Sequence, residues 1–172
     1  MAVEFFEKIG NVIEIRKILS ADQDEIWEII RDVIASGDTY VFSPSSSKEK
    51  MLNFWCSPDK HTYVALLDNK IAGTFFIKDN QPDLGSHIAN AGYMTSPSAF
   101  GKGIGTEMAK YSIEEAKRLG YKAMQFNIVV KNNVKAVSLW KKMGFEIIGE
   151  IPDAFRHQKE GFINAYIMYR KI

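Results

Sequence analysis

Gly101-Lys102-Gly103-Ile104-Gly105-Thr106 is the feature that most narrows what this chain can fold into. It stands between a strand-like run ending at Pro97 and a helical run beginning near Gly103. Glycines at alternate positions let the backbone come close to a ligand and turn its amides toward one point. A helix starting there adds unpaired N–H groups and the positive end of its dipole, which together suit a diphosphate. The same glycines also suit a plain tight strand-to-helix connection, so context has to decide. The G-x-x-x-x-G-K-[ST] spacing of a P-loop is missing, and no second G-x-x-G follows in register as a dinucleotide fold would require.

Periodicity places the turn within a mixed α/β chain. Val12 to Ile18 alternates as a first strand, and Ser20-Ala21-Asp22-Gln23 reads as a capping box opening a helix that carries Ile26, Ile29, Ile30 and Val33 and ends at Gly37. Ser43 to Ser47 reads as a loop and Lys48 to Trp55 as a short helix. Strands Thr62–Leu67 and Lys70–Ile77 meet at Asp68-Asn69, a pair that tolerates positive φ. After the Pro82-to-Gly85 turn, strand Ser86–Thr95 runs into the glycine turn, and helix Gly103–Leu119 stops at Gly120. Strand Lys122–Val130, helix Asn133–Met143 and strands Phe145–Ile151 and Ile163–Arg170 complete the order β-α-α-β-β-β-α-β-α-β-β.

A chain of 172 residues, 46% of them hydrophobic, suits one buried core, so residues 1–172 are read as a single domain. A net charge of +1 shows no basic excess for nucleic acid or a membrane surface, which directs attention to small molecules. Cys56 is the single cysteine and reads as a small buried hydrophobe in a reducing compartment. Met1-Ala2-Val3-Glu4 does not begin a leader, and no apolar run approaches the ~18 residues that span a bilayer, which points to the cytoplasm. His61, His87 and His157 lack ligand-like spacing, so no metal is expected.

Met94-Thr95-Ser96-Pro97, the glycine turn through Thr106, Gly120, Asn132-Asn133, Ala136, Leu139-Trp140 and Gly144-Phe145 closely resemble, in order and spacing, the GNAT acetyltransferase superfamily. The resemblance covers about Gly73 to Gly149 and implies a GNAT-like α/β domain with a central mixed sheet flanked by helices. It also implies an acetyl-CoA site: Gly101, Lys102, Gly103, Ile104, Gly105 and Thr106 at the pyrophosphate, Tyr93, Met94 and Thr95 along the pantetheine and thioester, and Asn133 near the cofactor arm. Two positions depart from the family. Phe100 replaces the usual Arg or Gln before the glycines, and Trp140 replaces the usual tyrosine that protonates the leaving thiolate. An indole N–H is too weak an acid for that role, and Trp140 also reads as an apolar core position.

A narrower resemblance links Gly73-Thr74-Phe75, Ser86-His87, Asn90-Ala91-Gly92-Tyr93, Phe126-Asn127 and Trp140 to the fungal acetyltransferases that act on the ring nitrogen of proline analogues such as azetidine-2-carboxylate. It implies that Asn90 and Asn127 line the acceptor site, although both also read as ordinary strand amides. The expected reaction is direct attack of a neutral amine on the thioester, with an oxyanion donor near Met94 and Asn90 and Asn127 positioning the acceptor or a water. Arg156, with Asp153 and His157, is a candidate wall able to grip a carboxylate, or else an exposed charged loop. The expected acceptor is a small-molecule amine. A protein N-terminus, a lysine, or a non-catalytic acetyl-CoA-binding role stand as alternatives, and a homodimer is left open.

Overall fold

Asp68 and Asn69 both take left-handed φ, 50° and 64°, and so turn β3 (His61–Leu67) tightly into β4 (Lys70–Asp79). The structure, a computed structural model, describes residues 4–8 and 11–172; residues 1–3, within the start read for a leader, and residues 9–10 lie outside it. The other elements are β1 (Glu4–Lys8), β2 (Asn11–Lys17), α1 (Gln23–Ser36), α2 (Lys48–Trp55), β5 (Ile88–Thr95), α3 (Ile104–Arg118), β6 (Ala123–Val130), α4 (Val134–Lys142), β7 (Glu146–His157) and β8 (Gly161–Lys171).

The strands form one sheet in the order β1-β2-β3-β4-β5-β6-β8-β7. All neighbours are antiparallel except β5 and β6, which α3 connects as a crossover. Alternate residues divide the core between two faces. Ile13, Ile15, Tyr63, Ala65, Phe75 and Ile77 pack with the apolar stripe of α3 and with Trp140 of α4, whereas Val64, Leu66, Phe76 and Met94 pack with α1 and α2. On the second face, the fully buried Trp55 donates its indole N–H to Thr74 Oγ1 at 3.0 Å, which ties α2 to β4 without stranding a polar group.

Three details differ from the sequence reading. β1 adds an edge strand, Glu4 facing Ile15, that the pattern did not announce. Asp22 and not Ser20 stands at the N-cap of α1, and its carboxylate bonds no helix amide but turns back, accepting from Leu19 N at 2.7 Å and from both Arg16 Nη atoms at 2.7 and 3.0 Å. Last, β7 continues beyond Ile151 to His157. Pro152 and Asp153, the latter at φ 51°, lie within a register shift between Ile151 and Phe155, and an edge strand tolerates such a bulge.

Glu115, buried on α3, anchors the helix to the sheet. Tyr63 Oη donates to its Oε1 at 2.5 Å, and Arg118 donates to its two oxygens at 2.6 and 2.7 Å. The Arg118 guanidinium, helped by the Tyr63 hydroxyl, holds the Glu115 carboxyl below the usual carboxylate range against the opposing effect of burial. A depressed carboxyl pKa contributes stability that is present above the unfolded-state value of ~4.3 and lost as pH falls through the folded value. Glu115→Gln is therefore expected to cost about 2 kcal/mol at pH 7, the range for hydrogen bonds to a charged group, with the gap narrowing below about pH 4. Urea unfolding of both proteins across pH checks this, and an equal gap at pH 3 and pH 7 would contradict it.

Candidate active site

β5 and β6 pair only at Ile88↔Ala123 and Ala89↔Met124, and beyond those two rungs they separate. On its other side β6 shifts register against β8 between Phe126 and Val129, which leaves Asn127 and Ile128 outside that ladder as well. A cleft of about 1130 Å³ opens along the separation. Asn90, Tyr93, Met94, Thr95, Asn127 and the start of α3 line it, together with the loop after α1.

The glycine turn forms one end of the cleft. Gly101 and Gly103 take φ of 79° and 87°, a conformation other residues rarely adopt, and Gly103 stands at the N-cap of α3 with no side-chain cap. The first-turn amides of Ile104, Gly105 and Thr106 have no acceptor within a helix, and these three residues line the cleft. A Cβ built on Gly105 would meet Leu139 Cδ2 at 3.8 Å and Thr95 Oγ1 at 4.0 Å, ordinary van der Waals contacts, so without one the backbone here is left uncovered for a close approach. These groups fit a diphosphate: backbone donors, a helix N-terminus and room for close approach. Lys102 is exposed and outside the lining.

At the other end four side-chain amides meet. Asn90 Nδ2 and Asn127 Nδ2 donate to Asn80 Oδ1 at 3.2 and 2.8 Å, and Gln125 Nε2 donates to Asn127 Oδ1 at 2.9 Å. Beside them the Tyr40 hydroxyl accepts from Tyr93 N at 2.8 Å and donates to Tyr93 O at 2.7 Å, taking the place of a neighbouring strand along β5. Burial pushes the Tyr40 hydroxyl well above the usual tyrosine range, and the bond it accepts from Tyr93 N–H offsets only part of that, so it stays protonated and able to donate. Because Tyr93 directs both backbone groups away from β4, the alternation of an antiparallel ladder turns the Met94 amide toward Thr74. The cleft-facing amide at this point is that of Tyr93.

The model of the acetyltransferase (GNAT) family matches residues 27–145, more than half of the chain. The chain belongs to the GNAT family. It is 39% identical over 112 residues to the N-acetyltransferase aca1 of Schizosaccharomyces pombe, an alignment covering 64% of this chain and 54% of that protein. The chain thus spans about half the length of that relative. A GCN5-related N-acetyltransferase from Kribbella flavida superposes with a TM-score of 0.89 at 33% identity, covering 93% of this chain and 98% of that one. A phosphinothricin acetyltransferase from Sinorhizobium meliloti, solved in complex with acetyl-CoA, shares the fold with a TM-score of 0.81 at 21% identity, over 92% and 87% of the two chains.

Within this GNAT chain, Trp140 packs in an aromatic cluster, with ring centroids 4.5 Å from Phe126 and 4.8 Å from Tyr93. Phe100 is largely exposed at the rim of the glycine turn. Asn133 lines the cleft and caps α4, its Oδ1 accepting from Ala136 N at 3.2 Å. Arg156 is exposed on β7 outside the lining, and Asp153 is exposed beside it. His157 reaches the cleft's rim indirectly. Its Nδ1 accepts from the amides of Lys159 and Glu160, which leaves the proton on Nε2 to donate to Asp38 Oδ1 at 3.0 Å, and Asp38 lines the cleft. Among the described residues no group of three or more His, Cys, Asp or Glu is arranged to hold a metal, and no helix is long and apolar enough to cross a membrane.

Sequence reasoning missed Tyr40, Asn80 and Gln125. An aromatic residue in the polar loop after Gly37 was a signal for Tyr40. Asn80 carried none, because only the register of β4 with β5 brings it to Asn90.

Proposed function

We propose that the protein transfers the acetyl group of acetyl-CoA, the co-substrate of its family, to the nitrogen of a small-molecule amine, with amino acids and ring-nitrogen analogues of proline as the first class to test. One observation carries this reading: the anion-suited start of α3 and the Asn90–Asn127 pair open onto the same cleft, at the place where β5 and β6 part.

In this reading the amides of Ile104, Gly105 and Thr106 hold the pyrophosphate, and the cleft edge of β5 pairs with the pantetheine as an added strand would. Acetyl-CoA supplies an activated acyl group on a thiol leaving group. Tyr93 donates its N–H to the thioester oxygen, replacing the donor expected near Met94. The Tyr40 hydroxyl, whose one proton is held by Tyr93 O, yields its place at that amide to the thioester oxygen, and the Tyr93 donor contributes on the order of 3 kcal/mol to the transition state. Asn90 and Asn127 cannot act as bases, so they orient the acceptor, whose proton passes to water. With Trp140 in the core, sulfur departs as thiolate, as an ordinary thiol of pKa ~8.5 can.

The test is thiol release from acetyl-CoA across a panel of amines, amino acids and proline analogues including azetidine-2-carboxylate, with acetyl-CoA hydrolysis as background. Turnover at least ~10-fold above background with one small amine is expected. Acetylation confined to peptide substrates would replace the small-molecule acceptor, and none at all would leave a binding module.

A further inference from the structure

Asn90 and Asn127 do not set their own orientation. Asn80, which follows β4, does not line the cleft, and its backbone N–H is anchored on Ile88 O at 2.8 Å at the end of the β4–β5 ladder. From there its Oδ1 accepts from Asn90 Nδ2 on β5 and Asn127 Nδ2 on β6, so both lone pairs of one oxygen are used. This bridge lies just past Ala89↔Met124, where the two strands stop pairing, and it joins them by side chains where backbone rungs end. The Asn127 oxygen is taken by Gln125, while among the described residues no hydrogen bond reaches the Asn90 oxygen.

We propose that Asn80 is the positioning residue of the acceptor site, holding the amides of Asn90 and Asn127 in one orientation so that Asn90 Oδ1 accepts the N–H of the incoming amine. This rests on the acetyltransferase reading above. A neutral secondary amine in a ring has one N–H and one lone pair. Binding that N–H to a fixed oxygen directs the lone pair, and such alignment is worth far more than contact alone. The nitrogen lone pair then forms the C–N bond to the acetyl carbon, the C–S bond breaks with its electron pair on sulfur, and the amine proton leaves to solvent. If the Asn90 amide were reversed, its NH₂ would face the amine's N–H, donor against donor, and productive binding would be lost.

The position calls for an acceptor and not a donor, which the substitution series Asn80→Ala and Asn80→Asp separates. A carboxylate keeps two oxygens for the two Nδ2 groups, and alanine keeps none. With acetyl-CoA and azetidine-2-carboxylate, or the fastest amine of the panel, Asn80→Ala is expected to lower kcat/KM for the amine ~10- to 100-fold while acetyl-CoA affinity stays within about threefold. Asn80→Asp is expected to recover all but about threefold of that loss. Side-chain amide NMR supplies a readout independent of turnover: the Asn90 and Asn127 NH₂ protons should exchange slowly in the wild type and in Asn80→Asp, and fast in Asn80→Ala. Wild-type turnover by Asn80→Ala, an Asn80→Asp as impaired as a folded Asn80→Ala, or fast exchange at both amides in the wild type would each overturn the assignment. Failure of the wild type to acetylate any amine while binding acetyl-CoA would instead sink the functional reading on which it rests.

Discussion

Replacing Asn90 or Asn127 by alanine is expected to reduce kcat/KM for the acceptor by ~10- to 1,000-fold while acetyl-CoA binding stays within a few fold. Both side chains lie at the parting of β5 and β6, away from the glycine turn proposed to hold the cofactor's anionic end. Because both amides share Asn80 Oδ1, the double variant should lose less than the sum of the single losses, as expected for groups in one hydrogen-bond network. Steady-state kinetics at saturating acetyl-CoA, with circular dichroism to establish folding, decide the matter. Full activity in both folded variants would place the acceptor elsewhere in the cleft, with Asp38 and the loop after α1 the next wall to probe; Arg156 does not face it.

Gly105→Val is expected to abolish most of the stabilisation that acetyl-CoA confers. A ligand bound only to the folded state at a hundredfold excess over Kd stabilises it by about 2.7 kcal/mol, read as a rise in Tm. Gly105 is the position that isolates the effect. It sits in the first turn of α3 with ordinary backbone angles, and a Cβ there meets only ordinary van der Waals contacts, Leu139 Cδ2 at 3.8 Å and Thr95 Oγ1 at 4.0 Å, so the free protein should keep its Tm within a few degrees. Gly103 offers no such separation, because at φ 87° any side chain strains the turn itself. Gly105→Val with wild-type affinity for acetyl-CoA would move the phosphate site away from this turn.

Local chemistry made much of this protein legible. The alternation in β2, the Asp68-Asn69 turn, the apolar stripes of α1 and α3 and the glycines before α3 are each set by residues within a few positions of one another, so periodicity and φ preferences reveal them. The same logic failed where tertiary contacts dominate. The strand read from the sequence stops at Ile151, yet β8 holds β7 together across a bulge at Pro152, because a long antiparallel partner outweighs one missing donor on an edge strand.

The sequence by itself determined the order of the elements from β2 onward, the family and the glycine turn before α3, since glycine and a helix start impose that geometry wherever they occur. Only the tertiary structure decided the rest of the cleft. Which residues meet Asn90 and Asn127, which amide of β5 faces the cleft and whether Arg156 joins it depend on strand register, on where β5 and β6 stop pairing and on the course of the loop carrying Tyr40. Register is a long-range property: a one-residue slip sends every side chain of a strand to the opposite face, so no local pattern could have brought Asn80 to that pair.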